Sequence, residues 1–109
     1  MANTFKVKTV NNVGTSDSDV YTCPSATQTT IIGMNLANIT TSAVAADITL
    51  VNNDGDSCFV VKNAPIASGG SLVTVGGDQK LVMEANDIIK VSSDTASSVD
   101  VSLSILEIT

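Results

Sequence analysis

The chain has no arginine, no histidine and no tryptophan, and its aromatic residues are Phe5, Tyr21 and Phe59. Without arginine there are no guanidinium forks for phosphate or guanine. The cations are Lys6, Lys8, Lys62, Lys80 and Lys90, outnumbered by eleven acids for a formal net charge of −6. Nucleic-acid binding needs a clustered basic face, so that class is set aside. An anionic membrane surface would repel the chain for the same reason. Without histidine no serine or threonine has an imidazole base, and no lysine has an evident site that would lower its pKa. No enzymatic activity, catalytic residue or cofactor is therefore expected. Cys23 and Cys58 are the only cysteines. They cannot form a structural zinc site without unusual partners, and they read as inert side chains in or beside the core, their pairing left open. Apolar runs are too short to span a bilayer. "MANTFKVKTV" lacks the apolar stretch of a signal peptide, so synthesis in the cytoplasm is the expectation, with action outside after lysis left open.

Valine, isoleucine, leucine and alanine make up most of the apolar 43% of the 109 residues. A chain of this length forms one domain, burying about two-thirds of its extended surface. β-Branched side chains favour a pleated surface over a helix. Period-two alternation recurs along the chain, clearest in "SVDVSLSIL". There Val99, Val101, Leu103 and Ile105 share a core face while Ser98, Asp100, Ser102 and Ser104 face water.

Further strands are expected at "TFKVKTV", at "DVYT" before Pro24, and at "TTIIGMNLAN", where Ile32, Met34 and Leu36 share a face and Gly33 marks a bulge or close approach. "AADITLV" and "CFVVK" flank the hairpin signal "NNDGDS"; "SLVTV" and "KLVM" flank "GGDQ"; "DIIKVS" and the last strand flank "SDTAS". The pattern predicts an all-β fold, a single β-sandwich (jelly-roll or Ig-like) of about 8–9 short antiparallel strands. Residues 11–19, "NNVGTSDSD", are the loosest stretch. They divide an N-terminal strand or arm, residues 1–13, from a sandwich body, residues 14–109.

The polar clusters read as turns. In "LVMEANDIIKV", Glu84 and Asp87 lie between apolar runs, where Asn86 tolerates positive φ and Asp87 can bond its own backbone. A carboxylate pair working on a glycosidic bond would have to face a common cleft. Asn52, Asn53, Asp54 and Asp56 around Gly55 offer oxygens to a cation, but the distant bidentate glutamate of a full Ca²⁺ loop is absent. The pairs Gly69–Gly70 and Gly76–Gly77 bound a strand rather than lead into a phosphate-binding helix.

One arrangement is similar to a known family. "VYTCPSATQTTIIGMNLANITTSAVAADITL" and "NAPIASGGSLVTVGGDQKLVMEANDIIKVSSDTASSVDVSLSILEI" resemble small structural proteins of tailed bacteriophages, especially those of cyanobacteria and other marine bacteria. The shared pieces are V-Y-T-x-P before an isoleucine-rich strand, the "API…GGSL" turn, the "KLVMEANDIIKV" hairpin and the terminal Ser-Val-Asp strand. Where such sequences tend to have glycine in E-A-G-D, this one has Asn86, which also adopts the left-handed conformation.

The resemblance implies a β-sandwich virion subunit, assembled in the host bacterial cytoplasm, with other virion proteins as partners and a homo-oligomeric state. It supplies no catalytic residues. A capsid decoration (cement) protein that stabilises the head shell is the leading expectation. The alternatives are a neck, tail or fibre component, a host-surface glycan-binding module, or a Ca²⁺-dependent adhesive domain. Partner binding is expected at Phe5, Lys6, Val7 and Lys8, through addition of this strand to another subunit's sheet edge. The other reading is that the strand completes its own sheet. Few aromatics, all expected in the core, weigh against a sugar platform.

Overall fold

The computed structural model describes residues 2–75 and 80–109. Among these are nine strands and no helix: β1 (Asn3–Val13), β2 (Ser18–Thr22), β3 (Gln28–Asn38), β4 (Val44–Val51), β5 (Ser57–Ile66), β6 (Ser71–Val75), β7 (Leu81–Met83), β8 (Ile88–Ser93) and β9 (Val99–Ile108). They form two antiparallel sheets packed as a sandwich. Sheet A runs β1-β9-β3-β6, with β7 also paired to β3, and sheet B runs β2-β8-β4-β5.

The core lies between the sheets because alternate residues of each inner strand point there. Val99, Val101, Leu103 and Ile105 of β9 are all buried, as expected from their spacing. They meet Ile48 and Ala46 of β4 and Ile89 and Val91 of β8 in one cluster. In β3 the register shifts between Ile31 and Gly33, a bulge at the glycine. The extra residue changes the phase of alternation. Ile31, Met34 and Leu36 therefore take the core positions and Ile32 is only half-buried, which corrects the face assigned from simple alternation.

Other expectations are also revised. Ser98 lies just before β9 and is buried, not solvated. Its hydroxyl donates to the Thr95 carbonyl at 2.7 Å and pairs with Ser93 Oγ at 2.6 Å. Of the aromatics, Tyr21 alone is in the core. Phe5 and Phe59 are 74% and 53% exposed, and Phe59 lies under the Lys62 ammonium at 4.7 Å. Cys23 is a buried thiol and Cys58 an exposed one on β5, both unpaired.

"NNDGDS" does close the β4–β5 hairpin, with Val51 opposite Ser57 and Gly55 at φ +95°. The "GGDQ" turn lies outside the described residues. "EAND" and "SDTAS" are corners between sheets, since β7 and β9 belong to sheet A and β8 to sheet B. Turn chemistry is the same for a hairpin and for a sheet-switching corner, so the local residues could not distinguish them.

At the "EAND" corner Asn86 adopts φ +70° and its N–H donates to the Cys23 carbonyl at 2.8 Å. Asp87 is buried, and its carboxylate accepts from the backbone N–H of Glu84 at 2.9 Å and of Asn53 at 2.9 Å. It thereby ties the crossover corner to the β4–β5 loop. Replacing Asp87 by Ala leaves two amides without their acceptor. The expected loss is about 2 kcal/mol, because each stranded buried donor costs roughly 1–3 kcal/mol and the Asn53 amide can turn to water. Asp87→Asn, which keeps one acceptor, should lose less. Urea unfolding followed by circular dichroism checks the order, and equal stability of all three proteins would refute the tie.

Candidate functional site: the N-terminal edge strand

Residues 3–10 of β1 run antiparallel to β9, from Asn3 opposite Ile108 to Val10 opposite Val101, and the register then shifts before Val13 meets Val99. Asn12 turns through φ +56° in that irregular stretch, its N–H held by Asp100 Oδ1 at 3.0 Å. β1 is an end strand of sheet A, so one of its two backbone edges has no strand beside it among the described residues.

The alternation divides its side chains between two faces. Lys6 and Lys8 lie opposite Ile105 and Leu103, which point inward, so both lysines sit on the side of sheet A that faces sheet B. Phe5 and Val7 lie opposite Leu106 and Ser104 on the outer face, and Val7 is 64% exposed. Of the eleven residues in the strand only Val13 is fully buried. Hydrophobic burial therefore does little to hold residues 3–12, and backbone pairing with β9 does most.

A polar network adds a second anchor. Glu107 of β9 occupies an inward position and is buried. Its Oε1 lies 2.8 Å from the Lys6 ammonium, and its Oε2 accepts from the Tyr21 hydroxyl at 2.5 Å. Thr29 Oγ1 meets the same hydroxyl at 2.8 Å, and Cys23 Sγ meets Thr29 Oγ1 at 3.2 Å. The chain of bonds thus runs from β1 through β9 to β2 and β3. The Lys6 hydrogen bond, then that of Tyr21, holds the Glu107 carboxyl below the usual glutamate range. Burial first, and the neighbouring carboxylate second, push the Tyr21 hydroxyl well above its ordinary value. The phenol therefore stays a donor.

Sequence reasoning identified Phe5, Lys6, Val7 and Lys8, and the fold brings all four onto this one edge, two on each face. It missed Glu107, Tyr21 and Thr29. One signal was available, because Glu107 continues the inward series Val99, Val101, Leu103, Ile105. A carboxylate at such a position requires a buried partner.

The oxygen-rich loops lie elsewhere. Asn52, Asn53, Asp54, Glu84 and Asp87 line an open cleft of about 780 Å³ at one end of the sandwich. Both Asp87 oxygens already accept backbone N–H groups, and Asp54 Oδ1 accepts from the Asp56 N–H at 3.1 Å. Among the described residues no three Cys, Asp or Glu side chains are grouped to hold a metal ion.

No protein-family model matches the sequence, and no curated protein matches it significantly. Solved structures match by shape. A chain of the disulfide-linked pili that form Bacillus endospore appendages superposes with a TM-score of 0.59 at 12% identity, covering 98% of this chain and 88% of that one. A chain from the acid-stable capsid of a Helicobacter pylori bacteriophage gives 0.52 at 11% identity, covering 98% and 87%. At such identities the likeness is one of fold, an all-β sandwich of the kind found in a phage capsid and a bacterial pilus.

The anchor makes stability depend on acid. A carboxylate whose folded pKa is depressed stabilises the fold above its unfolded pKa, and that stabilisation is lost as pH falls through the lower folded value. Wild-type stability should therefore fall below about pH 4.3, the ordinary glutamate value. Glu107→Gln should flatten that part of the slope. Lys6→Met should cost about 1 kcal/mol at neutral pH, a modest figure because Lys6 is half-exposed. Urea unfolding from pH 3 to 7 measures all three, and an unchanged acid slope in Glu107→Gln would remove the network from the account.

Proposed function

We propose that the protein is a non-enzymatic structural component of a bacteriophage virion, of the kind made by phages of cyanobacteria and other marine bacteria. In its specific role it is a decoration protein that binds the head shell and stabilises it. The observation that carries this reading is the extent of the fold match. Nearly the whole of this chain superposes on 87% of a phage capsid chain, so the likeness extends over the entire sandwich.

The surface is compatible with that role. A free strand edge takes up a further strand through backbone hydrogen bonds, with side-chain pockets adding specificity. On this reading residues 1–13 are the binding segment. Phe5 and Val7 supply apolar contact and Lys6 and Lys8 supply positive charge, in a chain that is otherwise acidic. The partner is the major capsid protein, bound by many copies of this chain after assembly in the host cytoplasm. The pilus chain favours a second reading, a subunit of a fibre, neck or tail, because it too is a sandwich of almost this length.

Cryo-electron microscopy of purified particles, with this chain fitted to the density, separates the readings. Icosahedral copies over the shell are the expected result. Density at the portal vertex or along the tail would replace decoration by the second reading, and none on any particle would end both. Removing residues 1–13 in a Glu107→Gln background, so that no buried charge is stranded, is expected to abolish particle binding. Full occupancy by that truncated protein would show that the segment is not the binding element.

A further inference from the structure

The two outer faces of the sandwich differ in charge. Sheet B carries ion pairs on its surface, Lys90 with Asp19 at 3.4 Å and Lys62 with Asp47 at 3.3 Å. On the outer face of sheet A, among the described strand residues, Asp100 is the one charged side chain, and it is engaged by the Asn12 amide. The remaining side chains there are apolar or small and neutral.

Register places these side chains in rows. One row crosses the sheet as Phe5, Leu106, Thr30 and Val82. The next crosses as Val7, Ser104 and Gly33, and a third as Thr9, Ser102, Asn35 and Val73. The first row is a ridge, with Phe5 74% and Val82 60% exposed. The third borders a hollow of about 230 Å³ lined by Thr9, Asn35, Ala37, Ser102 and Asp100, whose carboxylate is held by the Asn12 amide. Ridge and hollow lie four residues apart on β1, about 13 Å, with the glycine and serine row between them.

We propose that this face is the self-association surface of the protein, and that two copies stack sheet A on sheet A about a two-fold axis running along the Val7–Ser104–Gly33 row. Such an axis brings the first row of each copy over the third row of the other. Phe5 and Leu106 then enter the partner's hollow beside Thr9 and Ser102, and Val82 packs on the partner's Val73. An isologous contact requires a patch that is complementary to itself, and the ridge and hollow meet that requirement. Charge selects the occupant as well. Two chains of net charge −6 meet with least repulsion where, among the described strand residues, each displays only the Asp100 carboxylate, already held by the Asn12 amide. A basic partner would instead seek the acidic surface elsewhere. The molecule's longer dimensions, 45 and 27 Å, bound a face with room for the roughly 800 Å² per partner of a stable interface. The inference deepens the proposed assembly role by naming how copies pair. It takes Phe5 and Val7 for the contact between copies, so the contact with the capsid narrows to the free backbone edge of β1 and Lys8.

The test needs only the purified full chain, so it stands or falls apart from the particle experiments. Sedimentation velocity is expected to show a dimer at about 100 µM. Phe5→Glu and Val82→Glu, both at exposed positions, should each weaken dimerisation about 100-fold by burying an unpaired charge. Phe59→Glu, the same kind of change on the sheet B side, should leave the dimer intact, and circular dichroism confirms that each variant is folded. Position is tested by mixing Val73→Cys and Val82→Cys proteins, each also carrying Cys58→Ser. Oxidation should link the two kinds to each other in preference to their own kind. A monomeric wild type, equal disruption by Phe59→Glu, or crosslinking mainly within one kind would each overturn the proposal.

Discussion

The fold depends on β9 keeping its register between β1 and β3. This ten-residue strand contacts both neighbours along most of its length and sends Val99, Val101, Leu103 and Ile105 into the space between the sheets. A slip of one residue would turn all four outward and bring Asp100, Ser102 and Ser104 into the core. The β3 bulge accommodates this constraint. By absorbing one residue at Gly33 it lets Ile31 and Met34 both point inward against a strand that alternates without interruption.

The same strand explains why β1 is different from the rest. β9 ends its inward series in Glu107, so the site where β1 is laid down offers a carboxylate in place of a core contact. β1 answers with Lys6, and Tyr21 from the opposite sheet completes the pair. Over residues 3–8 the strand is held by ladder hydrogen bonds and one partly buried ion pair, with the apolar side chains of Phe5 and Val7 left outside. A strand attached in this way leaves Phe5 and Val7 free to contact another molecule. An ordinary edge strand would have spent those side chains on its own core.

Much of this was legible in the sequence. Alternation alone located β9, and the β-branched composition together with turn residues every eight to twelve positions identified a sandwich. Asn86 was readable as a left-handed turn residue and Asp87 as a backbone acceptor. The Asp87 bond to Asn53 was not, because it spans 34 residues. Nor were the exposure of Phe5 and Phe59 and the burial of Ser98. In each case residue type favoured one environment and strand position imposed another. Phe5, Lys6, Val7 and Lys8 were legible as neighbours on one strand, but the distribution of Phe5 and Val7 to one face and Lys6 and Lys8 to the other is fixed only beside β9.

The sequence by itself determined the period of alternation, and with it the class of fold, because a two-residue repeat of β-branched side chains is satisfied only by a pleated sheet with one face buried. It also determined the absence of arginine and histidine chemistry. Only the tertiary structure decided which strands share a sheet, where each corner leads, and that Phe5, Leu106, Thr30 and Val82 form one row. Those arrangements are set by pairing between residues far apart in the chain. No local pattern encodes them, because the free energy that selects them is released only when both sheets close on a common core.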